Sequence, residues 1–168
     1  MFPDGRVVLG RVASDTGTNE ESVVNVNLEE RLASTLFFVC FTSALRSDDL
    51  AYTQRWKADQ DMCLEMSKMD PGVLAYVSVP LTPSSKDWFN LVLFEDLEFI
   101  RVFETSRTHE YAKEFLSPRS FTDVCVRRGR VVHGESSISL EATRSIIINF
   151  SSDGSFTRNV YTNNLSKL

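Results

Sequence analysis

The sequence predicts a single α+β domain, and three observations carry that expectation. The segments Thr35–Phe41 and Trp88–Phe94 are short runs with apolar residues on both parities of their alternation, the pattern of strands covered on both faces. Stretches with helical spacing follow each of them, at about 49–69 and 95–116. In chain order the elements read β-α-β-β-α-β with a further hairpin at the end, a split unit whose sheet is antiparallel and whose helices lie on one face.

The first 31 residues are polar and turn-rich, with two β-branched runs at Arg6–Val12 and Val23–Val26, and read as an N-terminal arm or edge hairpin. The strand at Thr35–Phe41 follows. Ser47-Asp48-Asp49 then offers capping oxygens for a helix that Asp70-Pro71-Gly72 ends. Tyr52, Trp56, Asp59, Cys63 and Met66 share one face of that helix, apolar except for Asp59. A second strand, Val73–Val79, stops at Pro80, and a turn through Pro83–Asp87 leads to Trp88–Phe94. On that strand Trp88, Asn90, Val92 and Phe94 point one way.

Glu95-Asp96 suits a helix N-terminus, and Leu97, Ile100 and Phe103 form an apolar stripe after it. The pattern breaks at 105–108, and a shorter helical stretch through His109, Ala112 and Phe115, predicted to face inward, ends at Ser117-Pro118. The fourth strand is predicted at Phe121–Arg127, with Arg127-Arg128-Gly129-Arg130 read as a solvated basic turn. Ser145–Phe150 and Phe156–Tyr161 flank an Asp-Gly turn and form a C-terminal hairpin. The divisions are therefore 1–31 for the arm, 32–130 for the ferredoxin-like unit and 131–168 for the hairpin extension of the same domain.

Because the helices cover one side only, the apolar far face needs a cover, and the same face of a second copy supplies one. A homodimer is expected; the alternative is that the arm and the hairpin wrap that face within one chain. Eighteen Lys and Arg against 23 Asp and Glu leave a net charge of −5, which argues against a nucleic-acid partner. No run of seven or more apolar residues lies behind a basic start, so neither a signal peptide nor a membrane span is expected, and a cytoplasmic protein is. Cys40, Cys63 and Cys125 sit singly in apolar surroundings and read as reduced thiols. No ligand spacing for a metal is present, and no nucleotide-binding or serine-hydrolase motif.

From about Leu36 to Arg127 the order of elements resembles the dimeric α/β-barrel superfamily, and within it the antibiotic-biosynthesis monooxygenases. Members often carry Asn and Trp four residues apart on the third strand, then a Ser-x-x-His segment on a later helix. Here Asn90 and Ser106-Arg107-Thr108-His109 match, and Phe94 stands where Trp is usual, so an indole donor at that place is not implied. The resemblance implies a pocket in each subunit between the sheet and its helices. Tyr52, Trp56 and Asp59 would enter it from the first helix, Tyr76, Trp88, Asn90 and Phe94 from the strands, and His109 from the second helical stretch. Such a lining suits a flat aromatic or polyketide-like molecule held by few hydrogen bonds.

Read for chemistry, His109 is either the general base that takes a proton from an acidic phenol or activated carbon, or a structural histidine hydrogen-bonded to a neighbouring backbone group. Asn90 is either the donor that steadies the resulting oxyanion or a strand residue making a bulge or edge contact. Asp59 is either a carboxyl kept protonated by burial or an edge residue paired with Arg55. Trp56, Tyr52, Trp88, Phe94 and Tyr76 line the substrate, or alternatively are core. The expected function is a small biosynthetic enzyme without a cofactor, acting as monooxygenase or cyclase. The alternatives are a non-catalytic binding module and a haem-binding or haem-degrading protein with His109 as ligand.

Overall fold

The computed structural model of the protein describes residues 6–10, 21–25, 35–46, 49–68, 72–80, 87–133 and 138–162. Side chains are described from residue 35 onward, except at 49, 51, 52, 63, 67, 79, 80, 133 and 138 within those ranges. Two of the strands, β1 (Arg6–Gly10) and β2 (Glu21–Asn25), pair with each other as an antiparallel ribbon. The others are β3 (Phe37–Leu45), β4 (Val73–Pro80), β5 (Trp88–Phe94), β6 (Phe121–His133), β7 (Ile138–Phe150) and β8 (Phe156–Thr162). They form one open antiparallel sheet in the order β4-β5-β3-β6-β7-β8. The architecture is thus α+β, with helices α1 (Asp49–Ser67), α2 (Leu97–Glu104), α3 (Arg107–Tyr111) and α4 (Ser117–Ser120). Among the described residues no helix is long and apolar enough to cross a membrane.

The core forms where α1 and α2 press on the sheet. Leu36, Met66, Leu74, Val92, Phe94, Ile100 and Phe103 are buried in one cluster, and Phe94 and Phe103 approach ring to ring at 6.4 Å. Side chains of this kind each contribute about 1.5–3 kcal/mol on burial. A smaller cluster of Leu45, Phe121 and Val124 seals the other end of β3. There the Arg46 guanidinium donates to the carbonyls of Pro118, Phe150 and Ser151, at 3.4, 3.4 and 3.2 Å, and ties three elements together.

Several expectations are corrected. The buried stripe of α1 carries Arg55, Asp59 and Met66, with Trp56 only half-buried; a guanidinium can take the inward position because it stacks on an indole. Pro118 does not end the helical stretch. A π-helical turn at Ala112–Leu116 leads directly into α4, and Pro118 occupies its first turn, where no backbone N–H is required. No residue of α3 or of the π turn is buried, and Phe115, predicted to face inward, is 50% exposed. The Arg127–Arg130 run is no turn but the middle of a 13-residue strand, which continues to His133 rather than stopping at Arg127. A register shift between Arg128 and Gly129 interrupts its pairing with β7. The terminal hairpin turns as expected, with Gly154 at φ 84° and Asp153 accepting from Ser155 N at 2.9 Å.

Candidate functional site: a carboxylate cluster and a half-buried floor

Alternation on β4 places Tyr76 and Ser78 on the face that α1 covers, and the register sets Ser78 opposite Asn90. On α1, Arg55 and Asp59 are one turn apart and point down onto that face. Asp59 gathers these groups. Its Oδ1 accepts from the Tyr76 hydroxyl at 2.5 Å and from Asn90 Nδ2 at 3.0 Å, and its Oδ2 accepts from Ser78 Oγ at 2.6 Å. Arg55 Nη2 lies 3.7 Å from Oδ1. Asp59 is 8% exposed and Arg55 6%, so neither charge has water to screen it.

Ser78 is the second node. While donating to Asp59, its oxygen accepts from Trp88 Nε1 at 2.7 Å and Asn90 Nδ2 at 2.8 Å, with Arg55 Nη2 at 3.3 Å. The Arg55 guanidinium carbon stands 3.6 Å from the centre of the Trp88 ring, a cation–π contact that holds both planes. Asn90 Nδ2 also reaches the Tyr76 oxygen at 3.0 Å. Two amide protons thus serve three inward acceptors, and among the described residues nothing donates to the Asn90 carbonyl oxygen. Asn90 is half-buried, and both of its amide protons are turned toward Asp59, Tyr76 and Ser78.

His109 stands apart from this cluster. Ser106 caps α3 by accepting from His109 N, and the imidazole turns back on the preceding helix, 4.6 Å from the Phe103 ring centre. Its Nδ1 lies 3.1 Å from the Glu104 carbonyl oxygen. A carbonyl only accepts, so Nδ1 carries the proton and Nε2 keeps its lone pair. Burial holds the His109 pKa below the usual imidazole range, opposed in part by the Glu104 hydrogen bond. None of the contacts described for His109 reaches Asp59 or Asn90.

Between these two polar regions runs a floor of side chains on the helix side of the sheet. One row reads Ser78, Asn90, Phe41, Val126 and Ile146 across five strands, and the next reads Tyr76, Val92, Val39, Arg128 and Arg144. Val39, Phe41 and Val126 sit in the middle of the sheet and are still only half-buried. The α3 helix and the π turn, which bury nothing of their own, leave this floor partly open. Arg128 Nη1 pairs with Glu104 Oε1 at 3.2 Å, so the floor ends beside the last residue of α2, whose carbonyl His109 Nδ1 meets. With strands about 4.8 Å apart, Tyr76 and Arg128 are separated by about 14 Å of mostly apolar surface.

The structure therefore brings Asp59, Tyr76, Trp88 and Asn90 into one cluster and sets His109 in another. Trp88 and Tyr76 are buried, Phe94 is fully enclosed in the core, and Trp56 is half-buried; the side chain of Tyr52 lies outside the described residues. Ser78 escaped the sequence reading, although the alternation Leu74, Tyr76, Ser78 put it on the Tyr76 face. Arg55 was legible only as the partner of an edge carboxylate. Among the described residues no group of three or more His, Cys, Asp or Glu side chains is placed to hold a metal.

No family model matches the sequence, and no curated protein is significantly similar to it. Among solved structures, protein SO0527 from Shewanella oneidensis superposes with a TM-score of 0.51 at 7% identity, over 58% of this chain and 91% of that one. Protein YJCS, a structural-genomics target, gives a TM-score of 0.40 at 14% identity over 57% and 97% of the two chains. The first of these supports a shared α+β sheet fold.

Proposed function

We propose that the chain is a ferredoxin-like protein of the dimeric α/β-barrel type, and that it acts on an aromatic small molecule by proton abstraction at His109. The observation that carries this reading is the state of the imidazole: Nδ1 is committed to the Glu104 carbonyl and burial favours the neutral ring, which leaves Nε2 as a base near neutral pH. The half-buried floor of Val39, Phe41 and Val126 suits a flat apolar body. At its far end the Asn90 carbonyl would accept from a substrate hydroxyl, with the Asp59 cluster keeping that amide oriented. Asp59, surrounded by donors, acts as a positioning residue and not as the base.

Once the substrate is deprotonated, the same base permits two outcomes. The carbanion passes one electron to O₂, the two radicals join in a C–O bond to give a hydroperoxide, and cleavage of its O–O bond leaves a ketone and releases the second oxygen as water; or the carbanion attacks a carbonyl of its own chain and closes a ring. The homodimer belongs to the same reading: Val77, Phe89, Leu91 and Leu93 on the other face of the sheet are half-buried apolar residues that a second copy would cover.

The test uses anthrone, an aromatic ketone with one acidic carbon. The protein is expected to speed deuterium exchange at that carbon, and His109→Ala to abolish the acceleration while anthrone still binds. Oxygen uptake marks the oxygenase outcome. Binding with no exchange would leave a binding module in place of an enzyme, and a Soret band on the purified protein would replace both with haem binding.

A further inference from the structure

The sequence singled out a basic run on β6, and the register gives it a partner: Arg128 lies directly opposite Arg144 on β7. Like charges at facing positions destabilise a strand pair unless something between them is negative. Glu104 balances Arg128 at 3.2 Å, and Glu141 stands 3.8 Å from Arg130. On this face the three arginines of β6 and β7, Arg128, Arg130 and Arg144, thus have two carboxylates. Arg144 is the one left over: it is half-buried, and among the described residues it has neither a hydrogen bond nor an ion pair. Its neighbour on β8 is the neutral Thr162.

The local backbone fixes this pairing. Arg128 faces Arg144 while the next residue, Gly129, faces Ala142, so Thr143 is the extra residue of a bulge, and its hydroxyl donates to the Arg128 carbonyl at 3.1 Å. Gly129 is required there, since a Cβ would collide with the Glu141 carbonyl. The pair ends the row that begins at Tyr76 and crosses Val92 and Val39.

We propose that Arg144, with Arg128 beside it, binds the anionic substituent of the aromatic molecule that occupies the floor, an inference that rests on the reading of that floor as a small-molecule site. A guanidinium meets a carboxylate, sulfonate or phosphate through two parallel N–H donors, and an anion between the two arginines relieves their mutual repulsion. The ligand is then a planar body with an acidic group at one end and a hydroxyl at the other.

Fluorescence titration of the full chain tests this with two probes, anilinonaphthalene sulfonate and phenylnaphthylamine, which share rings and differ by the sulfonate. The sulfonate is expected to bind more tightly, with an affinity that falls as sodium chloride rises. Arg144→Gln should weaken it about tenfold and leave phenylnaphthylamine unchanged. Arg127→Gln, exposed and on the opposite face, should change neither. Equal loss of both probes in R144Q, or sulfonate binding insensitive to R144Q and to salt, overturns the anion site while the floor survives as a site. Failure of both probes to bind the unaltered protein overturns the floor and the proposal together. Arg144→Lys keeps the charge without the fork and should lie between the unaltered protein and R144Q, which separates charge from folding.

Discussion

Tyr76 and Asp59 join the two layers of the molecule: a hydroxyl from β4 donates to a carboxylate on α1 across 2.5 Å, with both residues buried. The groups around them, Arg55, Ser78, Trp88 and Asn90, are buried or half-buried and bonded to one another. Removing one member therefore strands the others, and the cost is that of an unsatisfied buried group rather than of one hydrogen bond.

Asp59→Ala removes the buried Asp59 carboxylate that stands 3.7 Å from Arg55 and is expected to cost about 3–5 kcal/mol. Tyr76→Phe removes the hydroxyl that donates to Asp59 and accepts from Asn90, and should cost about 1–3 kcal/mol. Urea denaturation checks both, as a fall in midpoint with an unchanged slope. Replacing Arg55 and Asp59 together by Met and Leu should recover much of the loss, because no charge is then stranded.

The histidine makes a prediction with a definite sign. Its folded pKa lies below the unfolded value of about 6.5, so the native state binds protons less readily than the unfolded chain. The contribution is fully present above pH of about 6.5 and is lost as pH falls through the depressed folded value. His109→Gln should flatten that part of the stability profile. NMR titration of the imidazole carbon-bound protons, assigned with a His133→Gln variant, should give a midpoint below the ordinary one.

Phe103 lies between Phe94 and His109, with ring centres 6.4 and 4.6 Å away. Phe103→Ala is expected to cost about 3–5 kcal/mol through the cavity it leaves. It should also let water reach the imidazole and raise its midpoint toward the ordinary value, a shift that the same titration reads.

Gly129→Ala should cost several kcal/mol or shift the pairing of β6 with β7, because the added carbon meets backbone and not a side chain that can move. Thermal unfolding measures the loss. Hydrogen exchange along 124–133 distinguishes a shifted register, which unpairs those amides, from a merely weakened strand.

The strands β3, β4 and β5 were legible because each is a short apolar run bounded by turn residues, and the hairpin closed on Asp153-Gly154 as its sequence requires. The inward face of α1 was not, since its buried positions include an arginine and an aspartate that are apolar only in company: each meets residues from β4 and β5 that lie 17–33 positions away in the chain. The length of β6 was hidden for a related reason. A run of arginines and a glycine reads as a turn until the carboxylates of Glu104 and Glu141, from other elements, are set against it. His109 was recognised as a candidate base, but its place depends on the break at 105–106, which folds the ring back onto the helix before it.

The π turn at Ala112–Leu116 holds one more residue than an α-helical path would need. The extra residue sets the angle at which α4 leaves the turn. Deleting any one residue of the five would allow an ordinary helix to form, rotating α4 by about 100°. The Ser120 carbonyl would then swing off the Arg46 amide it now meets at 2.8 Å. Homologues lacking the extra residue should accordingly show a differently built corner where the last helix enters the sheet, even if every strand is retained.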